Sequence, residues 1–246
     1  MVGFKHTKEI FHNGQTYHVD RSHLHEIWLD HILNDHPHTQ HSKRAILLGG
    51  GAGVGKSQAI IKALPVDEFV KINPDTFKEM MPEYQALISQ INPVAAGFVH
   101  TESREIAHQL FVAAITNKLS IVYDSTLSYL PHAKEIITTL RNNSYEINLI
   151  MVDADTDVAL ERAKARWEEE YRFVPEEIVR NTNKEAAESF FKLKDEVDMY
   201  TVLRNNSRNF EDPYPIIVKP HVHSPEKILV PDEYDAYYLK AHAGDK

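Results

Sequence analysis

Apolar positions along this chain fall into short continuous runs that alternate with helical stripes. Ala45-Ile-Leu-Leu48 is a four-residue apolar run closed by glycines, the pattern of a strand buried on both faces of a parallel sheet. Residues 56–64 continue as a helix that Pro65 stops. Residues 69–72 read as a second strand, ending at Asn73-Pro-Asp75. A long helix over 101–116 carries Ile106, Leu110, Phe111 and Ile115 on one face. A third strand at 120–123 ends at Asp124, a helix follows over 132–142, and a fourth strand spans 147–152. Two further helices cover 155–170 and roughly 175–194. Residues 199–203 form a fifth strand, and Asn205-Asn206-Ser207 leads it to a hairpin partner at 214–219. Repeated strand–helix units of this size predict an α/β fold with a parallel sheet covered on both faces by helices.

The ends of the chain read differently. Residues 1–42 form a preamble, in which Leu24, Ile27, Trp28, Ile32 and Leu33 sit at helical spacing after Asp20 or Ser22 as cap. Asn34-Asp-His-Pro37 ends that helix. The tail over 220–246 is rich in Pro, His and charge, and its pattern assigns no element. The expected organisation is therefore an N-terminal helical extension (1–42), one catalytic-sized domain (43–219) and a tail (220–246).

Composition narrows the function classes. At 246 residues, with 42% hydrophobic and 26% charged, the chain is an ordinary globular protein. No apolar stretch approaches the roughly 20 residues that span a bilayer, and the first 20 residues lack the apolar run of a signal peptide. A cytoplasmic protein is the expectation. The net charge of −9 argues against an extended nucleic-acid groove but leaves room for a small anionic ligand in a local basic pocket. Nine of the 15 histidines lie within the first 41 residues. The run His36-Pro-His38-Thr-Gln-His41 lacks zinc-type ligand spacing and reads as polar surface.

Gly50-Gly51-Ala52-Gly53-Val54-Gly55-Lys56-Ser57 matches the phosphate-loop pattern G-x-x-x-x-G-K-[ST], with a strand before it and a helix after it. Glycines let successive backbone N–H groups turn inward around phosphate oxygens, and the following helix adds its positive end. Lys56 is placed to reach the β/γ-phosphates, and the Ser57 hydroxyl to ligate Mg²⁺. ATP or GTP with Mg²⁺ is the expected donor.

A guanine-reading N-K-x-D motif is missing, since its nearest approach, Asn183-Lys-Glu-Ala186, lacks the aspartate. Ser120-Ile-Val-Tyr-Asp124 imitates a mechanical ATPase's Walker B strand only loosely. A small-molecule kinase instead needs an acid facing the acceptor hydroxyl and cations closing over the transferred group. A 5′-hydroxyl polynucleotide kinase shares that logic but wants a basic groove, and a nucleotide-gated binding protein with little turnover is the alternative from another class. Asp75, held by a rigid Asn-Pro turn at the carboxyl edge of the sheet, fits the first role, with a helix N-cap as the alternative. Asp124 and Thr126 share that edge, where Asp124 would hold Mg²⁺ through water and Thr126 touch phosphate or substrate, or form a plain turn. Arg162 and Arg166 share a helix face, and Arg172 follows; they suit a lid of phosphate-neutralising cations or a solvated charged face.

Taken in order, these blocks resemble the zeta toxin family of P-loop kinases. The likeness rests on the phosphate loop, Asn73-Pro-Asp75-Thr-Phe-Lys78 with Pro82-Glu83-Tyr84, and His100-Thr-Glu102-Ser103-Arg104-Glu-Ile-Ala107. It continues through Tyr123-Asp124-Ser-Thr126, Arg162 to Arg166 and Arg172-Phe-Val-Pro175, covering roughly 45–206. The resemblance implies a nucleotide-kinase-like fold and phosphorylation of a sugar hydroxyl, with UDP-N-acetylglucosamine the acceptor in studied members and dinucleotides in related kinases. It implies Asp75 as the activating acid, Lys56 and Ser57 on phosphate and Mg²⁺, and Thr126 on the substrate side. Arg166 and Arg172 match the lid arginines, with Arg162 competing for the first. Glu102 falls on a family position expected to face substrate. An antitoxin-like protein partner is also implied.

Overall fold

The computed structural model describes residues 5–34, 42–56, 68–207 and 213–243. Seven strands form one sheet in the order β2-β3-β1-β4-β5-β6-β7. Strands β1 (Arg44–Gly49), β2 (Val70–Ile72), β3 (Ile121–Asp124), β4 (Glu146–Asp153) and β5 (Met199–Arg204) run parallel. β6 (Tyr214–Lys219) and β7 (Lys227–Ile228) add an antiparallel edge. The expected hairpin partner of the fifth strand is thus present, with a register shift between Val202 and Leu203. Alternate residues of β1 serve different layers, as a strand buried on both faces requires. Ala45 and Leu47 join the larger core with Phe77, Phe111 and Ile136, while Ile46 and Leu48 pack with Phe69, Val122 and Val152.

Helices α1 (Thr7–Phe11) and α2 (Val19–Asn34) precede the sheet, and only the second is legible in the apolar pattern. After β2 come α3 (Pro74–Met80), α4 (Pro82–Ser89), α5 (Ala95–Phe98) and α6 (His100–Thr116). Helix α7 (Leu130–Asn142) joins β3 to β4, and α8 (Thr156–Glu170) and α9 (Glu176–Leu193) join β4 to β5. Ile106, Leu110, Phe111 and Ile115 are all buried, so the stripe read from the sequence is the face α6 presents to the core.

Both chain ends pack onto this body. The tail contains β7 and a helix, α10 (Pro231–Ala241), whose Tyr237 is buried against Phe190 and Phe191 of α9. Lys240 donates to Asp153 Oδ1 (2.6 Å) and to the Ala154 carbonyl (2.6 Å), tying α10 to the carboxyl edge of the sheet. At the other end Arg21 of α2, only 4% exposed, bridges Glu102 on α6 and Glu83 on α4. The helix expected over 56–64 and the histidine run 36–41 lie, apart from Lys56, outside the described residues.

Candidate active site

The parallel strands deliver their carboxyl ends to one rim, the place where an open α/β sheet offers a ligand crevice. From β1 the chain enters the phosphate loop at Gly50, whose N–H donates to the Thr126 carbonyl (3.0 Å), while the Ser125 N–H donates to Leu48 (3.1 Å). The loop is walled tightly from outside. A Cβ on Gly53, which sits at φ +80°, would lie 2.2 Å from the Ala159 carbonyl oxygen of α8; one on Gly51 would lie 2.6 Å from Asn183 of α9. The glycines are therefore demanded by helix packing on the loop as well as by a phosphate cradle. Arg162 turns to the same wall: its guanidinium donates to the Val54 carbonyl (3.1 Å) and the Ser207 carbonyl (2.7 Å). It braces the loop as well as lining the cleft, so its guanidinium is engaged rather than extended as a lid cation. Thr182 and Asn183, neither of them a site candidate from the sequence, do likewise, accepting from the Ala52 N–H (3.1 Å) and donating to the Ala52 carbonyl (2.9 Å).

The Lys56 ammonium folds back onto the Gly50 carbonyl (2.5 Å) and the Gly51 carbonyl (3.3 Å). Burial pulls its pKa down, and the carboxylates of Asp124 and Asp75 oppose that. Ser57 lies outside the described residues.

Asp75 stands at the start of α3, where Pro74 occupies the first turn and Asn73 is the N-cap. The Asn73 side chain links two acids: its Oδ1 accepts from the Asp75 amide (2.8 Å) and its Nδ2 donates to Asp124 Oδ2 (3.1 Å). The capping oxygen is thus Asn73's, which leaves the Asp75 carboxylate to face the cleft. Arg172 donates to Asp75 Oδ2 (2.5 Å), and Lys78 lies 2.9 Å from Oδ1. Burial alone would raise Asp75; the charges of Lys78 and Arg172 outweigh it and hold the carboxyl well below the usual range. Lys78 was legible as a neighbour of Asp75, three residues on along one helix. Asp124, 6% exposed, is pushed up by burial, against the pull of Lys56 and Lys71.

Arg172 follows Tyr171, whose left-handed backbone (φ 56°) ends α8 and swings the chain over the cleft. Arg166 also lines the cleft and pairs with Glu170 (2.7 Å). Glu102 does not line it. That side chain is fully buried, and its two oxygens accept from Arg21 (2.6 and 3.1 Å), with His25 Nε2 2.7 Å from one of them. The expected substrate contact is a tether for α2, because its face of α6 meets the N-terminal segment rather than the cleft.

Lys56, Asp75, Asp124, Thr126, Arg166 and Arg172 thus line one cleft of about 1660 Å³. A single small ligand needs roughly 300–1,000 Å³, so there is room for two ligands side by side.

Strand order, phosphate loop and two-ligand cleft define a P-loop protein built like a nucleotide kinase. The chain belongs to the zeta toxin family, whose model matches residues 29–210. It is similar to the Calmodulin calcium-dependent NAD kinase of Arabidopsis thaliana, 31% identical over 45% of this chain and 23% of that protein. It is also similar to Toxin PezT of Streptococcus pneumoniae, 26% identical over 57% of this chain and 56% of the toxin. These matches span from about a quarter to just over half of the relatives' lengths. The fold is shared with AvrRxo1-ORF1:-ORF2, solved with ATP (TM-score 0.78, 18% identity, 96% of this chain and 82% of that one). It is shared too with a structure from the PezAT chromosomal toxin–antitoxin system of Streptococcus pneumoniae (TM-score 0.63, 15% identity, 93% of this chain and 98% of that one). No helix among the described residues is long and apolar enough to cross a membrane.

Proposed function

We propose that the chain transfers the γ-phosphate of a nucleoside triphosphate to a hydroxyl of a nucleotide-type small molecule. The observation that carries this reading is the placement of Asp75 across one cleft from Lys56, close enough that Lys56 feels its charge. The donor's β/γ-phosphates would replace the loop carbonyls as partners of Lys56. Asp75 would orient the acceptor hydroxyl; as its oxygen bonds to the γ-phosphorus, the bond to the β-phosphate oxygen breaks and the proton passes to the carboxylate. Arg172 and Arg166 are poised to move onto the transferring group and stabilise its charge. An Asp held low by Lys78 and Arg172 is a weak base, so a shift of that arginine to phosphate would return part of the carboxylate's proton affinity.

The oxygen donors available suit Mg²⁺, with Asp124 and Ser57 the residues to hold it. Bound there, the ion would neutralise charge on the β- and γ-phosphates. For the acceptor, the higher identity to an NAD kinase favours a dinucleotide over UDP-N-acetylglucosamine. An antitoxin-like protein partner is supported by the two-component systems named for the structural neighbours.

The test is incubation with γ-labelled ATP or GTP, Mg²⁺ and either NAD or UDP-N-acetylglucosamine, followed by mass analysis of labelled product. Label on NAD is the expected result. Label on the sugar nucleotide alone would transfer the assignment to it, and nucleotide binding without transfer to either would refute the kinase reading.

A further inference from the structure

Beyond Asp75 the cleft continues into a second lobe, away from the phosphate loop. It is lined by one face of α6, on which His100, Arg104 and His108 recur at intervals of four, and by Tyr129, His132 and, from the N-terminal segment, Tyr17. The family model begins at residue 29, so Tyr17 lies outside the matched region.

The charges in this lobe are unevenly matched. Glu105 is engaged by Lys8 and by the Tyr17 hydroxyl (2.6 Å), and Glu135 lies 3.4 Å from His132 Nδ1. Lys78, at the boundary with the phosphate end, is paired with Asp75. Arg104 lines the cleft and makes no hydrogen bond or ion pair among the described residues. Burial disfavours the charged form of two imidazoles near it. Burial, then the charges of Lys78 and Arg104, push His100 down to about 4. Burial, with Arg104 assisting, also lowers His132, whose Nε2 is 3.0 Å from the Tyr123 hydroxyl. A guanidinium that no carboxylate among the described residues binds, in a lobe where Glu105 is held by Lys8 and Tyr17 and Glu135 lies against His132, is a receptor for an anion.

Its position relates it to the reacting centre. His100 feels the charges of Asp75, Lys78 and Arg104 together, so it stands between the two ends. Arg104 is one helical turn further along α6, a rise of about 6 Å. We propose that Arg104 is the specificity residue of the acceptor lobe, binding a phosphate that the acceptor already carries while the acceptor's hydroxyl lies at Asp75. The chemical class selected is a phosphorylated sugar or nucleotide, and the bare nucleoside or free sugar is discriminated against. This rests on the phosphotransferase reading for the location of the hydroxyl, but the anion site itself can be tested without turnover.

Arg104 is exposed on the cleft wall, so Arg104→Gln leaves the fold intact, with an unchanged thermal midpoint as control. Binding of NAD and of UDP-N-acetylglucosamine would be measured calorimetrically on protein saturated with ADP, which occupies the donor end. The expected result is that wild type binds at least one of them and Arg104→Gln weakens it roughly 10- to 100-fold, with partial recovery in Arg104→Lys. In initial-rate assays the same variant should raise the acceptor KM by that factor and leave the ATP KM within about 2-fold. Wild-type preference for NAD over nicotinamide riboside, or for the sugar nucleotide over N-acetylglucosamine, should narrow in the variant. Equal binding by wild type and Arg104→Gln, or binding of neither probe to wild type, would overturn the proposal. Arg104-dependent binding without phosphorylation would sustain the anion site and instead refute the proposed kinase activity.

Discussion

Replacing Glu102 by Gln keeps the shape of the side chain and removes its charge from a site with no solvent exposure. In the folded protein the neighbouring His25 and Arg21 overcome the effect of burial and hold this carboxyl at about 2, against an ordinary 4.5. That gap corresponds to about 3 kcal/mol of folding free energy at neutral pH. Removing one partner of a buried pair costs roughly 3–5 kcal/mol in general. The low end applies here, because Arg21 keeps its two bonds to Glu83 at 2.9 and 3.1 Å. For a chain of this length, each kcal/mol moves Tm by about 2–4 °C, so Glu102→Gln should melt roughly 6–12 °C below wild type at pH 7. The deficit should also depend on pH in a stated direction. A carboxyl depressed in the folded state stabilises fully above its unfolded pKa and loses that contribution as pH falls toward its folded pKa. The difference between the two proteins should therefore be whole above pH 5 and shrink below 4.5. Near pH 3 it should have fallen to roughly 1.4 kcal/mol, and it should vanish only below about pH 2. Urea melts at pH 7, 4 and 3 would measure it. An unchanged midpoint combined with lost turnover would make Glu102 a substrate contact and defeat the tethering argument; a deficit independent of pH would defeat the electrostatic one.

Asp75→Asn should lower turnover by roughly 10²-fold while donor binding persists, and cost about 1 kcal/mol or less in stability, since the Asp75 side chain is 38% exposed and its ion pairs are solvent-screened. Near-normal turnover would remove Asp75 as the base. Arg172→Ala should depress kcat more than donor affinity and, by deleting a charge that holds Asp75 low, move the acid limb of the pH–rate profile upward; an acid limb that stays in place would deny the coupling. Gly53→Ala should destabilise the loop by about 1–3 kcal/mol and weaken triphosphate binding, because φ +80° strains any side chain and the new methyl meets the Ala159 carbonyl oxygen. Gly97→Ala in α5 meets nothing within 4 Å and serves as the tolerated comparison, measured by the same melts.

Much of the fold is local and was legible. A continuous apolar run marks β1, buried on both faces, the four-residue stripe marks the core face of α6, and the glycine–lysine loop needs backbone geometry that few other sequences provide. The helix in the tail was also within reach, since Tyr234, Tyr237, Tyr238 and Ala241 recur at helical spacing behind Pro231, although the two-residue strand before it carries no periodic signal.

What the sequence determined by itself was the alternation of strand and helix, the phosphate loop and the placement of Asp75 and Asp124 at strand ends, because each depends on residues adjacent in the chain. Tertiary structure decided the use made of the charged side chains that pair across elements, since a long side chain's partner there lies wherever the packed surfaces meet. Arg162 and Arg166 share one helix, yet the first turns to the loop carbonyls and the second to Glu170. Glu102 and Arg104 are two residues apart on α6; the first is drawn into a buried pair with Arg21, 81 positions away in sequence, and the second is left facing the cleft.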